Sequence, residues 1–344
     1  LATDRPAMRH SAGNTGSVNF VNNGPLTTYD LTSGGAINIM TTTGDLTIAG
    51  NISTNDATAS AIMMNAGKNT AAGISSGGNI IISGNPTITT GTGGFATLYS
   101  GSVGSSTGVT TIVSSGSGRF RYNSDETTTN YNTVTAALSP GINVIYREQP
   151  TVTITANSPA AITYGSATPT LTTVLTGLQN GDTATQALST VATVAVGGAT
   201  SSSENYIAGP HSLTPSGAVD QLGYALSYST GTLTVNPLAL TGTIATGSST
   251  YGSALAPGAV SLSTVISGDD VTTVAVAVNT AGNTSTSGKL KAGNYSGIES
   301  VSGTLGGNDA GNYTFTGATG NYNVSQLALT GTIATGSSTY GSAL

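Results

Sequence analysis

Residues 238–255 read LALTGTIATGSSTYGSAL, and the same eighteen letters return as residues 327–344. A fainter copy lies upstream. Thr163-Tyr164-Gly165-Ser166 matches Thr250-Tyr251-Gly252-Ser253 at a shift of 87, and Gly181-Asp182 matches Gly268-Asp269 at the same shift. Tyr224 and Val235 return as Tyr313 and Val324 at a shift of 89, so the second copy gained two residues between Gly268 and Tyr313. This spacing predicts tandem modules over 151–236 and 237–326, with 327–344 the truncated start of a third. Inside the first, Thr151-Val-Thr-Ile-Thr-Ala156 and Gly231-Thr-Leu-Thr-Val235 alternate apolar residues with Thr, the pattern of a strand with one face buried. Leu171, Val174, Leu175 and Leu178 also fit one helix face, although the Thr content limits such a helix to one or two turns. Asn236-Pro237 closes the module, since Pro cannot donate to a ladder.

Residues 1–150 carry a different period. Gly44-Asp-Leu-Thr-Ile-Ala-Gly50-Asn51 is echoed 34 residues later by Gly78-Asn-Ile-Ile-Ile-Ser-Gly84-Asn85, and 61–67 by 95–101 at the same shift. Short strands separated by Gly/Asn turns predict a right-handed parallel β-helix over 1–118, followed by a junction at 119–150. Ile37, Ile39, Leu46, Ile48, Ile62, Ile80, Ile82, Ile88 and Leu98 are its expected bore. Thirty-four residues fit either two short coils or one coil with a protruding loop.

Composition agrees with an all-β chain. Of 344 residues, 61 are Thr, 42 Ser and 48 Gly, a mixture that disfavours long helices. The charged fraction is 6%, the net charge −6 and the hydrophobic fraction 37%, which argues against charge-driven disorder. No basic stripe is available for nucleic acid, and no apolar run approaches the length of a membrane-spanning helix. The absence of Cys excludes disulfides and thiolate metal sites. The start, Leu1-Ala-Thr-Asp-Arg-Pro6, has no signal-peptide pattern and reads as a piece of a larger chain.

The modules at 151–326 resemble the MBG (mostly β-grasp) and YDG repeats of very large bacterial surface proteins. The landmarks are Thr163-Tyr164-Gly165, Gly177-Leu178, Gly181-Asp182 and Gly231-Thr-Leu-Thr-Val235. Gly118-Arg119-Phe120-Arg121-Tyr122 and Ile145-Tyr146-Arg147-Glu148-Gln149-Pro150 resemble the passage from a haemagglutinin-type β-helix into such modules. The resemblance implies a filamentous-haemagglutinin-like adhesin, small β-grasp-like or sandwich-like repeats, and secretion through an outer-membrane transporter of the two-partner type. Its ligand on a host cell, neighbouring cell or surface is unspecified. The resemblance transfers no catalytic residue.

The chemical candidates are weak. Gly73-Ile-Ser75-Ser-Gly77 and Gly104-Ser-Ser106-Thr-Gly108 fit a nucleophile elbow by composition alone, with no convincing helix after either. His10 and His211, the only imidazoles, read as terminus and turn residues. Asp45 and Asp56 are the sole carboxylate pair within reach of one β-helix face, and coil-edge turns explain them better than glycan cleavage. Asp269-Asp270 lacks a calcium-loop context. A Thr array for ice or crystals fails because Thr87 and Thr89 align with Ser53 and Asn55. Tyr164, Tyr251 and Tyr340 are expected at module cores or joints. The expectation is therefore a spacer stalk with no catalytic, cofactor or metal site. A β-helical polysaccharide-active domain and a biofilm scaffold are the alternatives.

Overall fold

The computed structural model describes residues 7–10 and 16–341, without the side chains of 7–10. It is 41% strand and 3% helix. The two longest helical pieces, Val109–Ile112 and Ala184–Ala187, have four residues each. The chain forms two compact units: 1–158 with 170–196 and 212–232, and 159–169 with 197–211 and 233–344. The limits after 211 and 232 fall inside strands Gly209–Ser216 and Gly231–Asn236.

The first unit opens with a parallel β-helix. One sheet stacks Val18–Asn22, Ile37–Thr41, Ile62–Ala66, Phe95–Ser100 and Gly141–Tyr146 in order, with Phe120–Arg121 outermost beside Gly141–Tyr146. The chain thus overshoots one position and returns to fill it. Register fixes the coil length: Val18 pairs with Ile37, Ile37 with Ile62 and Ile62 with Ala96. The coils therefore lengthen along the stack, and the 34-residue period is one coil. Its extra length is the insert at 67–79 between Ile62–Ala66 and Ile80–Ile82. In the facing sheet, Leu26–Ser33 spans two sides of the coil, pairing with Leu46–Ile48 through Leu26 and with Ile52–Thr54 through Leu31. Leu46 then pairs with Ile80, but Ile52 pairs with Ile88, so Ser53 lies beside Thr89 rather than Thr87.

All nine residues expected in the bore are buried. Ile37–Thr41, Leu46–Ile48 and Ile80–Ile82, which carry six of them, alternate buried and half-buried positions, because a pleat sends successive side chains to opposite faces. Side-chain ladders tie the corners together. Asp30 accepts from the Asn51 amide and Asn51 from the Thr87 amide; Asp45 accepts from the Asn79 amide and Asn79 from the Ser102 amide. Gly78 is needed here, since a Cβ would stand 2.1 Å from the Gly44 carbonyl at a φ of +147°. Arg147, fully buried, donates through Nη2 to the carbonyls of Ala66 (2.6 Å) and Gly78 (2.9 Å) and pins both ends of the insert.

Beyond the β-helix, the first unit contains a sheet in which Thr151–Ala156 runs antiparallel to Thr173–Thr176 and parallel to Ala225–Ser229. Thr173–Thr176 is thus a strand, and the helix reading of 171–178 is overturned: pairing with Thr151–Ala156 satisfies its backbone along one edge. In the second unit, Leu238–Ile244 pairs with Val260–Ser263 and Tyr313–Phe315, while Ala318–Ser325 lies between Gly247–Thr250 and Gly293–Val301. Among the described residues no helix is long and apolar enough to cross a membrane.

Candidate functional site

Two constellations of the same chemistry stand out, one in each unit. In the first unit, Tyr122 donates its phenol to Asp182 Oδ2 at 2.7 Å, and Tyr224 donates to the same oxygen at 2.8 Å. Asn180 Nδ2 donates to the Tyr122 oxygen (3.2 Å), and the Gln179 amide donates to the Tyr224 oxygen (3.0 Å). The Tyr122 ring lies between Tyr146 (5.7 Å between centroids) and Tyr224 (4.4 Å), and Phe120 extends the stack beyond Tyr146. A row of rings thereby links the last coils of the β-helix to the Gly181-Asp182 turn and the Tyr224 strand region.

In the second unit, Tyr164 donates to Asp269 Oδ2 at 2.6 Å, and Tyr313 donates to that same oxygen. The Ile266 amide donates to the Tyr313 oxygen (3.0 Å), as the Gln179 amide does to Tyr224. Tyr164 meets Tyr313 edge-on at 5.3 Å and also touches Ser201 (2.6 Å) and Ser203 (3.3 Å). Neighbouring contacts reinforce this joint: the Ser202 amide donates to Asp309 and the Ala208 amide to Asn312. In both constellations the second carboxylate oxygen, Oδ1, is buried without a hydrogen-bond partner.

Local sequence explains the geometry. In each constellation one of the two donating tyrosines precedes a residue with left-handed backbone and then a serine: Tyr122-Asn123-Ser124 with φ +51°, and Tyr164-Gly165-Ser166 with φ +80°. Asn and Gly tolerate that conformation, which turns the chain sharply behind the ring. At Gly165 a Cβ would also stand 2.2 Å from Ile266 Cδ1, so a side chain there would have to displace the end of Ile266 where the next Gly-Asp loop packs.

The two carboxylates differ electrostatically. Burial pushes the Asp182 carboxyl above its ordinary value, against the hydrogen bonds of Tyr122 and Tyr224 and the charge of Arg121. Burial also pushes Asp269 up, but donors from Ser203, Tyr164 and Tyr313 outweigh it and hold the carboxyl below its ordinary value. The Tyr122 phenol is raised by burial and by the adjacent Asp182 charge.

The other residues singled out in sequence are dispersed. Asp45 and Asp56 flank opposite ends of the stretch 46–54, each accepting from a backbone amide at a coil corner. Ser106 bonds Ser100 Oγ (2.6 Å), and Ser75 lies exposed; a four-residue helix follows Gly108. His211 is buried rather than a surface turn residue: it points inward from Gly209–Ser216, with its ring nitrogens on the carbonyls of Gly197 (3.0 Å) and Ile207 (2.8 Å). The side chain of His10 lies outside the described residues. Tyr164 packs at a joint and Tyr251 is half-buried, but Tyr340 is fully exposed, contrary to the packing expected of it. Among the described residues no group of three or more His, Asp or Glu side chains is placed to hold a metal ion.

The shared carboxylate between two phenols was not foreseen. Its signal was present as Tyr-(Gly or Asn)-Ser followed in a later segment by Gly-Asp, a pairing too distant in sequence to be read without the fold. Residues 152–234 match the family model of the MBG domain (YGX type). Comparisons with curated proteins and with solved structures gave no match. The chain thus contains a β-rich MBG repeat module of the kind associated with surface or adhesin-like proteins.

Proposed function

We propose that this chain is a non-enzymatic segment of a large bacterial cell-surface adhesin of the filamentous-haemagglutinin type, in which the repeat modules act as a spacer stalk. The observation that carries this reading is the recurrence of one tyrosine–carboxylate joint, once against the β-helix end and once between successive repeats. A joint that recurs with the repeat suits lengthening by addition of like units, which need contact only their neighbours. Thr and Ser faces supply solubility where charge is scarce. Adhesion then comes from a region carried by the stalk, or from weak contacts multiplied by copy number. By the same resemblance, the chain reaches the cell exterior through an outer-membrane transporter of the two-partner type.

Small-angle scattering tests the spacer role. Inserting one or two further copies of 238–326 after residue 326 is expected to lengthen the largest particle dimension by a constant increment per copy. A constant maximum dimension with growing cross-section would overturn it. Release of reducing or unsaturated ends from acidic glycans by the purified chain would favour a polysaccharide-active enzyme instead, and self-association without any cell-surface attachment a matrix scaffold.

A further inference from the structure

Tyr251 is the repeat counterpart of Tyr164, and its surroundings reproduce half of a joint. The Tyr251 phenol bonds Ser285 Oγ (2.9 Å) and Ser287 Oγ (3.2 Å), as Tyr164 bonds Ser201 and Ser203. The serines bond each other in both places, at 2.9 and 3.0 Å. Both pairs sit in equivalent loops, closed by the bridges Thr284 to Leu290 and Thr200 to Tyr206. The other half is missing at Tyr251. Among the described residues no carboxylate is hydrogen-bonded to its phenol, and the space around Gly252, which has a φ of +90°, is open where Gly165 faces Ile266. Tyr164 is 2% exposed whereas Tyr251 is half-buried. An open cleft of about 440 Å³ adjoins it, lined by Tyr251, Ser285, Lys291, Ala292 and Leu327 among others.

We infer that the Tyr251 face is a docking socket for the Gly-Asp turn of another MBG-type module, whose aspartate carboxylate accepts a hydrogen bond from the Tyr251 phenol and whose apolar residue before the turn covers Gly252. Two observations select this occupant over an unrelated ligand. Asp182 and Asp269 fill the corresponding place in both completed joints. Lys289 and Lys291, the only lysines after residue 150, lie on the segment that carries the serine loop, so the socket's cations complement an acidic turn. The inference rests on the spacer reading only in that such a module follows; the chemistry of the joint is independent of adhesion.

The test extends the full chain by appending residues 256–326 after Leu344, which completes a second copy of the 238–326 module because 327–344 repeats 238–255. Tyrosine nitration, mapped by mass spectrometry, reads the accessibility of each phenol. In the 344-residue chain Tyr251 is expected to react readily and Tyr164 slowly. In the extended chain nitration of Tyr251 should fall at least about tenfold, towards the Tyr164 rate. Replacing the appended copy of Asp269 by Ala, or making Gly252→Val, should restore fast nitration while amide exchange shows the appended module folded. An appended module that is folded while Tyr251 stays reactive would overturn the socket and leave the spacer reading standing. Failure of the appended segment to fold on the unaltered chain would also overturn it, because the socket is proposed to seat that very sequence. A constant increment in particle length with unprotected Tyr251 separates the two readings directly.

Discussion

The joint in the first unit and the joint in the second unit use the same three groups, two phenols on one carboxylate oxygen, in opposite environments. Asp182 is buried under a stack of four aromatic rings, and its carboxyl is raised. Asp269 has one edge-on ring pair, several hydroxyl donors and more solvent, and its carboxyl is lowered. The difference teaches that the hydrogen-bond pattern is what the repeat conserves, while the source of stability shifts from ring packing to charge-assisted hydrogen bonding.

Truncating the donating tyrosines should separate the two most strongly. Tyr122→Ala is expected to cost roughly 3–5 kcal/mol, and Tyr164→Ala about 1 kcal/mol less, because Tyr122 loses two ring neighbours and Tyr164 one. Urea unfolding followed separately in each unit by amide exchange checks this; equal losses would dissolve the comparison. Removing charge while keeping shape should then divide the carboxylates. Asp269→Asn is expected to destabilise the second unit by about 1–2 kcal/mol through the lost charge-assisted bonds. Asp182→Asn should be close to neutral in the first unit, since it also removes a buried charge. The same exchange experiment on the two variants decides it.

A smaller effect is expected at the glycines behind the tyrosines. Gly165→Ala and Gly252→Ala share the cost of a left-handed Cβ, about 1 kcal/mol. Only Gly165→Ala must also move Ile266, so its thermal midpoint should drop further. Smallest is the response to acid. The folded Asp269 carboxyl lies below 3.8, so its contribution is present above pH 3.8 and lost as pH falls through that lower folded value. The folded Asp182 carboxyl lies above 3.8, so its contribution is complete below pH 3.8 and lost as pH rises through the folded value. Between pH 6 and pH 3, wild type minus Asp269→Asn should show a declining advantage in the second unit, and wild type minus Asp182→Asn a rising one in the first. Parallel slopes would contradict the electrostatic contrast.

Much of the fold was legible because it is periodic. Alternation over 151–156 reports a pleat with one wet face, and the isoleucines recurring at 34 report coils stacked on one another. What stayed hidden were contacts between segments of unlike sequence. The return of Gly141–Tyr146 between Phe95–Ser100 and Phe120–Arg121 leaves no periodic trace, nor does the step of 36 between Ile52 and Ile88. The burial of His211 follows from strand parity at Gly209–Ser216, but Pro210 and the surrounding polar residues mask that parity in the sequence.

The residues at 238–255 and 327–341 draw the line between sequence and structure most plainly. Their common letters determine a Thr-alternating, glycine-punctuated segment, and in both places the glycine after the tyrosine takes a left-handed backbone. Yet Leu240 is 4% exposed within a paired strand, while its twin Leu329 is 89% exposed and no strand is formed among the described residues of 327–341. Local preference sets what a β segment can become. Only partner strands, which satisfy its backbone groups and cover its apolar face, decide that it does so.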